Sequence, residues 1–366
     1  MDRFNPHMLA LARDARGLTQ PDLANAIPIG QGTLSKYETG VNVPPEDFVA
    51  VVAKILEYPR SFFFQPDRPY GFPPFHYRKR KKLSAKALGR IVAEMNIRRM
   101  HVRKMLPSYP IRTNRFIPEI DRDEYTSDKK GRLDTEDVAR SVREAWMVPS
   151  GPIENMVSLL EENGGIVIPC DFGTDLLDAM SQRIDGMPVL FFVNMHAPAD
   201  RVRHTLAHEL GHMVLHTIAL QDDAAMEAEA DEFAGAFLLP ADEIRPQLRR
   251  FDLRHLANMK GYWKVSMAAI AVRADRLNLI TAYQSRMFWM EMSRLGYRKR
   301  EPNEPAREYP AFLQEMVRHF AKGLGYTREQ MAMLLDLLPG EFDEMYDPEV
   351  FSMPAPTPVS HLRVVK

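Results

Sequence analysis

The sequence predicts a mainly α protein with a small β-sheet, an α+β fold. Three features predict it. Short apolar-periodic segments with capping residues occupy the first 65 residues, and two apolar strand candidates, at 166–169 and 189–194, fall between helices. Helical periodicity then returns after residue 241 and dominates the rest. A chain of 366 residues exceeds one ordinary hydrophobic core, so more than one domain is expected.

The predicted domain boundaries follow changes in composition. Residues 1–65 read as a bundle of short helices, and residues 66–133 contain a basic helix flanked by polar and proline-containing linkers. Residues 134–245 hold the strand candidates and form the expected core domain. Residues 246–353 are predicted to be helical, and the proline-rich tail 354–366 is predicted to be disordered.

The basic segment 78–104 has two interpretations. It carries 11 lysine and arginine residues against Glu94 alone. These cations could extend a surface that contacts DNA phosphates. Alternatively, they form the solvated face of a helix whose apolar stripe packs on the next domain. That stripe consists of Leu88, Ile91, Met95 and Met100.

Overall composition restricts the function classes. The formal net charge is −1, which argues against electrostatic attraction of the whole chain to nucleic acid. The single cysteine, Cys170, excludes an intrachain disulfide and fits a reducing compartment. No signal-like start and no apolar run of about 18 residues are present. We therefore expect a cytoplasmic protein with no membrane partner.

The segment 203–216 contains the pattern His-Glu-x-x-His. It has no proline and repeats apolar residues at helical spacing, so a helix is predicted. On that helix His208 and His212 lie one turn apart, roughly 5–6 Å between side-chain roots, and could bind one ion. Glu209 leaves the helix about 100° away, which suits a general base acting on water that the metal activates.

A third ligand must come from elsewhere, because a catalytic zinc usually has three protein ligands and one open position. His216 lies roughly 12 Å from His208 along the helix, too far to share the ion, and is expected to cap or line the site. The preferred ligand is Glu227 on a second predicted helix, with Asp231 one turn on to accept the other ring N–H of a ligating histidine. Glu229 is the alternative ligand.

The N-terminal stretch predicts two short helices, Gln20 to Ala26 and Gln31 to Thr39, joined by a tight turn, which is the layout of a helix-turn-helix DNA reader. The run LTQPDLANAIPIGQGTLSKYETG resembles the phage-repressor-like (XRE) helix-turn-helix family. Gly32 departs from the polar residue common there, which would reduce base readout. The alternative is a helical domain used for protein contacts, including homodimerisation. The resemblance implies DNA contacts by Gln20, Gln31, Gly32, Thr33, Ser35 and Lys36.

Residues 134–240 resemble the ImmA/IrrE family of metallopeptidases. The resemblance rests on VRHTLAHELGHMVLH, EAEADEFAGAFLLP, SVREAWMVPSGPIENMVSLLEENGGIVI and PVLFFVN. Fusion to an upstream helix-turn-helix domain is a familiar arrangement in that family. The resemblance implies a zincin-like core with a zinc-dependent, gluzincin-like site. By position its ligands would be His208, His212 and Glu227, and its catalytic acid/base would be Glu209.

In zincin folds an edge strand lies beside the metal, and a peptide substrate could pair with it by strand addition. We predict that strand at Val189 to Asn194, although its apolar run also fits a plain buried strand. The substrate-contacting residues would then be Leu190, Phe191, Phe192, Val193 and Asn194.

Together these features predict a DNA-binding transcriptional regulator with a zinc endopeptidase domain that cleaves a partner repressor, in stress response or mobile-element control. Two alternatives stay open. The protein could regulate transcription without proteolysis and use its metal site structurally or as a sensor. It could also be the toxin of a toxin–antitoxin pair, with an antitoxin as its protein partner.

Overall fold

The computed structural model describes residues 3–71, 83–110, 115–120, 134–174, 176–216 and 223–346. The predicted disordered tail and the basic residues 78–82 lie outside the described residues. The structure is mainly helical with a small sheet, so the predicted fold class is confirmed. Within the described residues no helix is long and apolar enough to cross a membrane.

The described residues form two compact units. The first contains residues 3–69, 100–110 and 311–346, and the second contains the described residues of 70–99 and 111–310. The predicted helical region 246–353 is divided between the two units, because residues 246–310 belong to the second unit and residues 311–346 to the first.

Capping residues mark the starts of the first two helices of the first unit. Thr19 and Asp22 form a reciprocal capping box, in which the backbone N–H of Thr19 donates to the Asp22 carboxylate at 2.8 Å. Asn5 caps the first helix by accepting from the backbone N–H of His7. The helices are α1 Pro6–Ala15, α2 Gln20–Ala26, α3 Gln31–Glu38 and α4 Glu46–Ile55, followed by a 3-10 turn at Arg60–Phe64.

Helix α5, Ala85–Met105, contains the described part of the basic segment. Within it Arg98 forms an ion pair with Glu94 at 2.8 Å. Arg99 is fully buried, with its guanidinium 4.8 Å from the centroid of the Tyr70 ring. These two arginines are therefore committed to intramolecular contacts, which favours the packing interpretation for this stretch. The predicted stripe residues Ile91, Met95 and Met100 are buried.

The second unit contains a three-stranded mixed sheet among its described residues, in the order β1-β3-β2. Strand β1 is Gly165–Pro169, β2 is Ala179–Gln182 and β3 is Val189–Val193. The central strand β3 pairs in parallel with β1 and antiparallel with β2. Sequence reasoning found β1 and β3 but missed β2.

The prediction of Val189 to Asn194 as the edge strand beside the metal is wrong. Strand β3 is central, and both of its edges are hydrogen-bonded to neighbouring strands. A peptide therefore has no free edge to pair with there. The physical reason is that a continuous apolar run suits a strand covered on both faces, which a central strand is. Fully buried are Leu190, Phe191, Phe192 and Val193, while the backbone N–H of Asn194 donates to Asp178.

The remaining helices surround this sheet or complete the first unit. The helical region that is predicted after residue 241 is interrupted near its start, because Pro246 cannot continue a helix and Asp252 caps a new one by accepting from His255 N–H at 2.9 Å. In the second unit the helices are α6 Thr135–Ala145, α7 Met156–Glu162, α8 Ala199–Leu215, α9 Asp223–Leu238, α10 Ala241–Ile244, α11 Leu253–Trp263, α12 Met267–Arg276 and α13 Ala282–Arg294. The first unit adds α14 Phe312–Arg318, α15 Arg328–Leu334 and α16 Pro339–Met345.

Candidate metal centre and DNA-binding surface

Helix α8 presents the His-Glu-x-x-His pattern. It begins at Ala199, after Pro198, and ends at Leu215, beyond which the backbone of His216 leaves helical geometry. Its apolar residues Leu206, Leu210 and Val214 lie in the hydrophobic core. Because that face is buried, the helix is held in one rotation about its axis, and its histidines point to a defined side.

Gly211 allows helices α8 and α9 to approach closely. A Cβ atom at this position would lie 3.1 Å from Cδ1 of Phe233 and 3.2 Å from Cα of Ala230. Both contacts are tighter than side chains ordinarily make, and one of them is to backbone that cannot rotate away. The glycine therefore permits the helix packing that brings Glu227 of α9 beside the histidines of α8.

The side chains of His208, His212 and Glu227 converge on one point. The two Nε2 atoms are 3.0 Å apart, and Glu227 carboxylate oxygens lie 3.8 Å from Nε2 of His208 and 3.5 Å from Nε2 of His212. One ligand atom from each residue lies within 4.8 Å of the others. Ligands about 2.0–2.1 Å from a tetrahedral zinc would be about 3.3 Å apart, so these spacings suit one ion.

The outer ring nitrogens of both histidines have defined partners. Nδ1 of His208 lies 2.8 Å from the Asp231 carboxylate, the contact expected from the sequence. Nδ1 of His212 lies 2.9 Å from Nδ1 of His216, whose Nε2 is 3.1 Å from Glu229. Such contacts orient the rings so that Nε2 faces an ion. His216 thus lines the site, as expected from the sequence. Glu229 contacts His216 and does not belong to the three-residue cluster.

Two ionisable groups beside the cluster have shifted pKa values. Burial lowers the pKa of His204 to about 4, so its ring is neutral at neutral pH. Burial raises the pKa of Asp231, but the hydrogen bond with His208 and the nearby positive charges lower it by more. The net pKa of Asp231 therefore lies below its ordinary value, and its carboxylate stays ionised as an acceptor.

Glu209 is fully buried and is held by a residue that sequence reasoning missed. The Ser181 hydroxyl, on strand β2, donates to Oε2 of Glu209 at 2.7 Å. This contact holds the Glu209 carboxylate between helix α8 and strand β2. In the sequence, Ser181 lies in the short stretch Ala179–Gln182, whose residues have weak strand propensity. For this reason neither the strand nor the contact of Ser181 with Glu209 was predicted.

A buried ion pair anchors the first half of α8. Arg203 is 1% exposed and pairs with Glu308, while its Nη2 also donates to the carbonyl of Ile153 at 2.6 Å. The other oxygen of Glu308 accepts from the backbone N–H groups of Met156 and Val157 at 2.7 and 3.2 Å. This network joins α8, the start of α7 and the segment after α13, and it was not predicted.

In the first unit, α3 exposes most of the predicted DNA-contacting residues. Nε2 of Gln20 donates to the buried Glu38 carboxylate at 2.8 Å, and Gln31 reaches Gln20 at 3.4 Å. Glu38 also pairs with Arg13 at 2.6 Å, so this network fixes α3 against α1 and α2. A Cβ at Gly32 would meet nothing within 4 Å, consistent with an open surface. On this surface Gln31, Gly32, Thr33 and Lys36 are exposed, and Ser35 and Gln20 are partly exposed.

The fold and the site define a helix-turn-helix protein with a metallopeptidase-like domain. Residues 161–275 match the IrrE N-terminal-like domain, the M78 peptidase family, and residues 7–61 match a helix-turn-helix domain. The predicted fusion of a helix-turn-helix domain with an ImmA/IrrE-type peptidase domain is therefore confirmed. A comparison with curated proteins gave no match. The peptidase match includes all three residues of the cluster.

Proposed function

We propose that this protein is a DNA-binding transcriptional regulator whose second unit is a zinc-dependent endopeptidase acting on a partner repressor. The observation that carries the proposal is the convergence of His208, His212 and Glu227 beside the buried Glu209. The peptidase and helix-turn-helix matches support the two activities. We place the protein in the cytoplasm, where it would reach DNA.

The donor set fits zinc, since two imidazole nitrogens and one carboxylate are a ligand set that catalytic zinc takes. The cluster in the described residues offers three ligands, whereas a structural zinc normally has four. When bound, zinc would polarise a peptide carbonyl and lower the pKa of water toward neutrality. His208 and His212 would hold it through Nε2, because their Nδ1 atoms already contact Asp231 and His216.

The chain's own proton-transfer group would be Glu209. Its carboxylate would accept a proton from the attacking water and return it to the leaving amine. Ser181 would act as a positioning residue, because its hydroxyl donates to Oε2 and so sets the direction in which the carboxylate points.

The peptide would approach along β2 instead of β3. In the described sheet β2 pairs with β3 on one side only, and Ser181 connects this strand to Glu209. An extended peptide that adds to the outer edge of β2 would gain backbone hydrogen bonds beside the proposed general base. This strand therefore replaces the one predicted from the sequence.

The DNA-binding role rests on α3, which would enter the major groove with its exposed residues. Gln31, Thr33 and Lys36 offer amide, hydroxyl and ammonium groups for bases and phosphates. Two copies joined as a homodimer would match a two-fold operator, as is common for helix-turn-helix proteins. Such binding would place the peptidase near the promoter of the genes that its substrate controls.

The proposal is tested by comparing wild type and Glu209→Gln in cells, with new protein N-termini quantified by mass spectrometry. We expect at least one cleavage product, from a DNA-binding partner, in wild-type cells and none in Glu209→Gln cells. Glu291→Gln, the same substitution on the surface helix α13, should behave like wild type. If Glu209→Gln leaves both the termini and target-gene expression unchanged, the protein regulates without proteolysis.

A further inference from the structure

A cavity of about 450 Å³ lies among helices α8, α9, α11 and α12 and the segment 297–304. Its size falls within the range of about 300–1,000 Å³ that small-molecule sites occupy. One part of its wall is apolar and comes from α9 and the α12 region. The apolar residues include Ala234, Leu238, Leu239, Val265, Ala268 and Val272. The three-residue metal cluster does not line it.

The cavity has a surplus of positive charge. Its carboxylates already have partners: Asp200 and Glu301 contact Lys260 at 2.5 and 3.0 Å, Asp231 contacts His208, and Glu304 accepts from a backbone N–H. In contrast, Arg276, Lys299 and Arg300 are exposed lining residues whose side chains make no hydrogen bond or ion pair within the described part of the chain. An anion at this cavity would meet Lys299 and Arg300, which form no ion pair with a carboxylate of the described residues. It would also meet Arg276, whose charge already acts on the Asp231 carboxylate and lowers its pKa.

Two other cationic residues of the lining, Arg201 and Arg273, already form ion pairs with carboxylates. Arg201 pairs with Asp178 at 2.7 Å, and the buried Arg273 pairs with Glu136. His204 contributes no charge at neutral pH, because burial lowers its pKa to about 4. The available positive charge is therefore concentrated where α12 ends and the segment 299–300 passes the cavity, opposite the apolar wall.

We propose that this cavity binds a small molecule that joins an anionic group, such as a carboxylate, phosphate or sulfonate, to an apolar body. The anionic group lies against Arg276, Lys299 and Arg300, and the apolar body contacts Leu238 and Val272. Charge-assisted hydrogen bonds to guanidinium and ammonium groups are the strong polar contacts of such sites. Enclosure of the apolar part removes its surface from water.

A molecule bound in the cavity would also affect the candidate metal centre. Asp231 lines the cavity and at the same time contacts Nδ1 of His208. An occupant that shifts the Asp231 carboxylate would alter the orientation of that imidazole. This consequence rests on the proposed function, whereas binding in the cavity does not, and the two can fail separately.

The test uses the full-length protein and two fluorescent probes of similar apolar shape. One is the anionic 8-anilinonaphthalene-1-sulfonate and the other is the uncharged N-phenyl-1-naphthylamine. We expect one saturable site for the anionic probe on the metal-free protein. Arg276→Gln combined with Lys299→Gln should weaken its binding by about tenfold and change binding of the uncharged probe by less than about twofold.

A matched control removes two charges elsewhere, through Arg286→Gln combined with Arg294→Gln on helix α13, and should bind both probes like wild type. Val272→Trp fills the cavity and should abolish both signals. The proposal is overturned if wild type shows no saturable binding. It is also overturned if the cavity pair and the control pair weaken the anionic probe equally. Because Arg276 and Lys299 are exposed, their variants test the site even if Val272→Trp does not fold.

Discussion

Asp231→Ala should weaken zinc binding without removing a ligand. The substitution deletes the carboxylate 2.8 Å from Nδ1 of His208, which is the contact that directs Nε2 toward His212 and Glu227. Without it the imidazole can rotate and can also carry its proton on Nε2, the nitrogen that must be free to bind an ion. Both changes disfavour the geometry that the ion requires.

The size of the effect follows from exposure. Partners that orient metal-ligating histidines typically contribute about 10–100-fold to metal affinity. The Asp231 side chain is 50% exposed, so water can replace part of the lost hydrogen bond. We therefore expect the lower end, about tenfold in Kd, which corresponds to about 1.4 kcal/mol. Removal of His208 itself should prevent stoichiometric binding.

The assay is competition for zinc between the metal-free protein and a chromophoric chelator of known affinity at neutral pH. Asp242→Ala, which removes an exposed carboxylate from α10, controls for the change of net charge. If Asp231→Ala and Asp242→Ala bind zinc within about twofold of wild type, the contact between Asp231 and His208 does not orient a ligand. The assignment of His208 as a ligand would then lose its main support outside the cluster.

Three further predictions concern residues outside the three-residue cluster. The unfolded chain protonates His204 near pH 6.5 but the folded chain only near pH 4, so its stability contribution is present above pH 6.5 and is lost as the pH falls toward 4. This loss is at most about 3 kcal/mol, and His204→Gln should flatten that part of the pH profile measured by urea denaturation. Burial raises the pKa of the Cys170 thiol, so the native protein should react with a thiol reagent far more slowly than urea-unfolded protein, and equal rates would contradict its burial. Glu38→Ala deprives the largely buried Arg13 of its main partner and should cost about 2 kcal/mol, seen as amide exchange about thirtyfold faster in α1 and α3. Unchanged exchange would contradict the role of that ion pair.

Features set by neighbouring residues were predicted well from the sequence. Helix α2 has the predicted bounds, Gln20 to Ala26, and its start is set locally by the capping box of Thr19 and Asp22. The spacing of His208 and His212 is enough to predict that their side chains lie together, since any α-helix places residues four apart on one face. Glu227 was harder, because its distance to the histidines depends on how closely α9 packs at Gly211, yet helical periodicity singled it out.

Features set by long-range pairing were missed or wrong. Strand β2 has only four residues, Ala-Met-Ser-Gln, without the alternation or β-branched residues that indicate a strand, so Ser181 was not found. The order β1-β3-β2 depends on which strands pair, which no local pattern of β3 reveals. Likewise, the segment 311–346 has ordinary amphipathic helices, and nothing in its own sequence indicates that it packs with the N-terminal unit.

The most direct test of the metallopeptidase account is the metal content of the purified protein, determined by elemental analysis without added metal. Wild type is compared with His208→Ala, Glu227→Ala and Glu229→Ala. The account predicts about one zinc per wild-type chain, loss of zinc in the first two variants and retention in Glu229→Ala, because Glu229 contacts His216 and not the ion. Zinc retained in Glu227→Ala but lost in Glu229→Ala would contradict the assigned ligands, and no metal in any protein after reconstitution would contradict the peptidase itself.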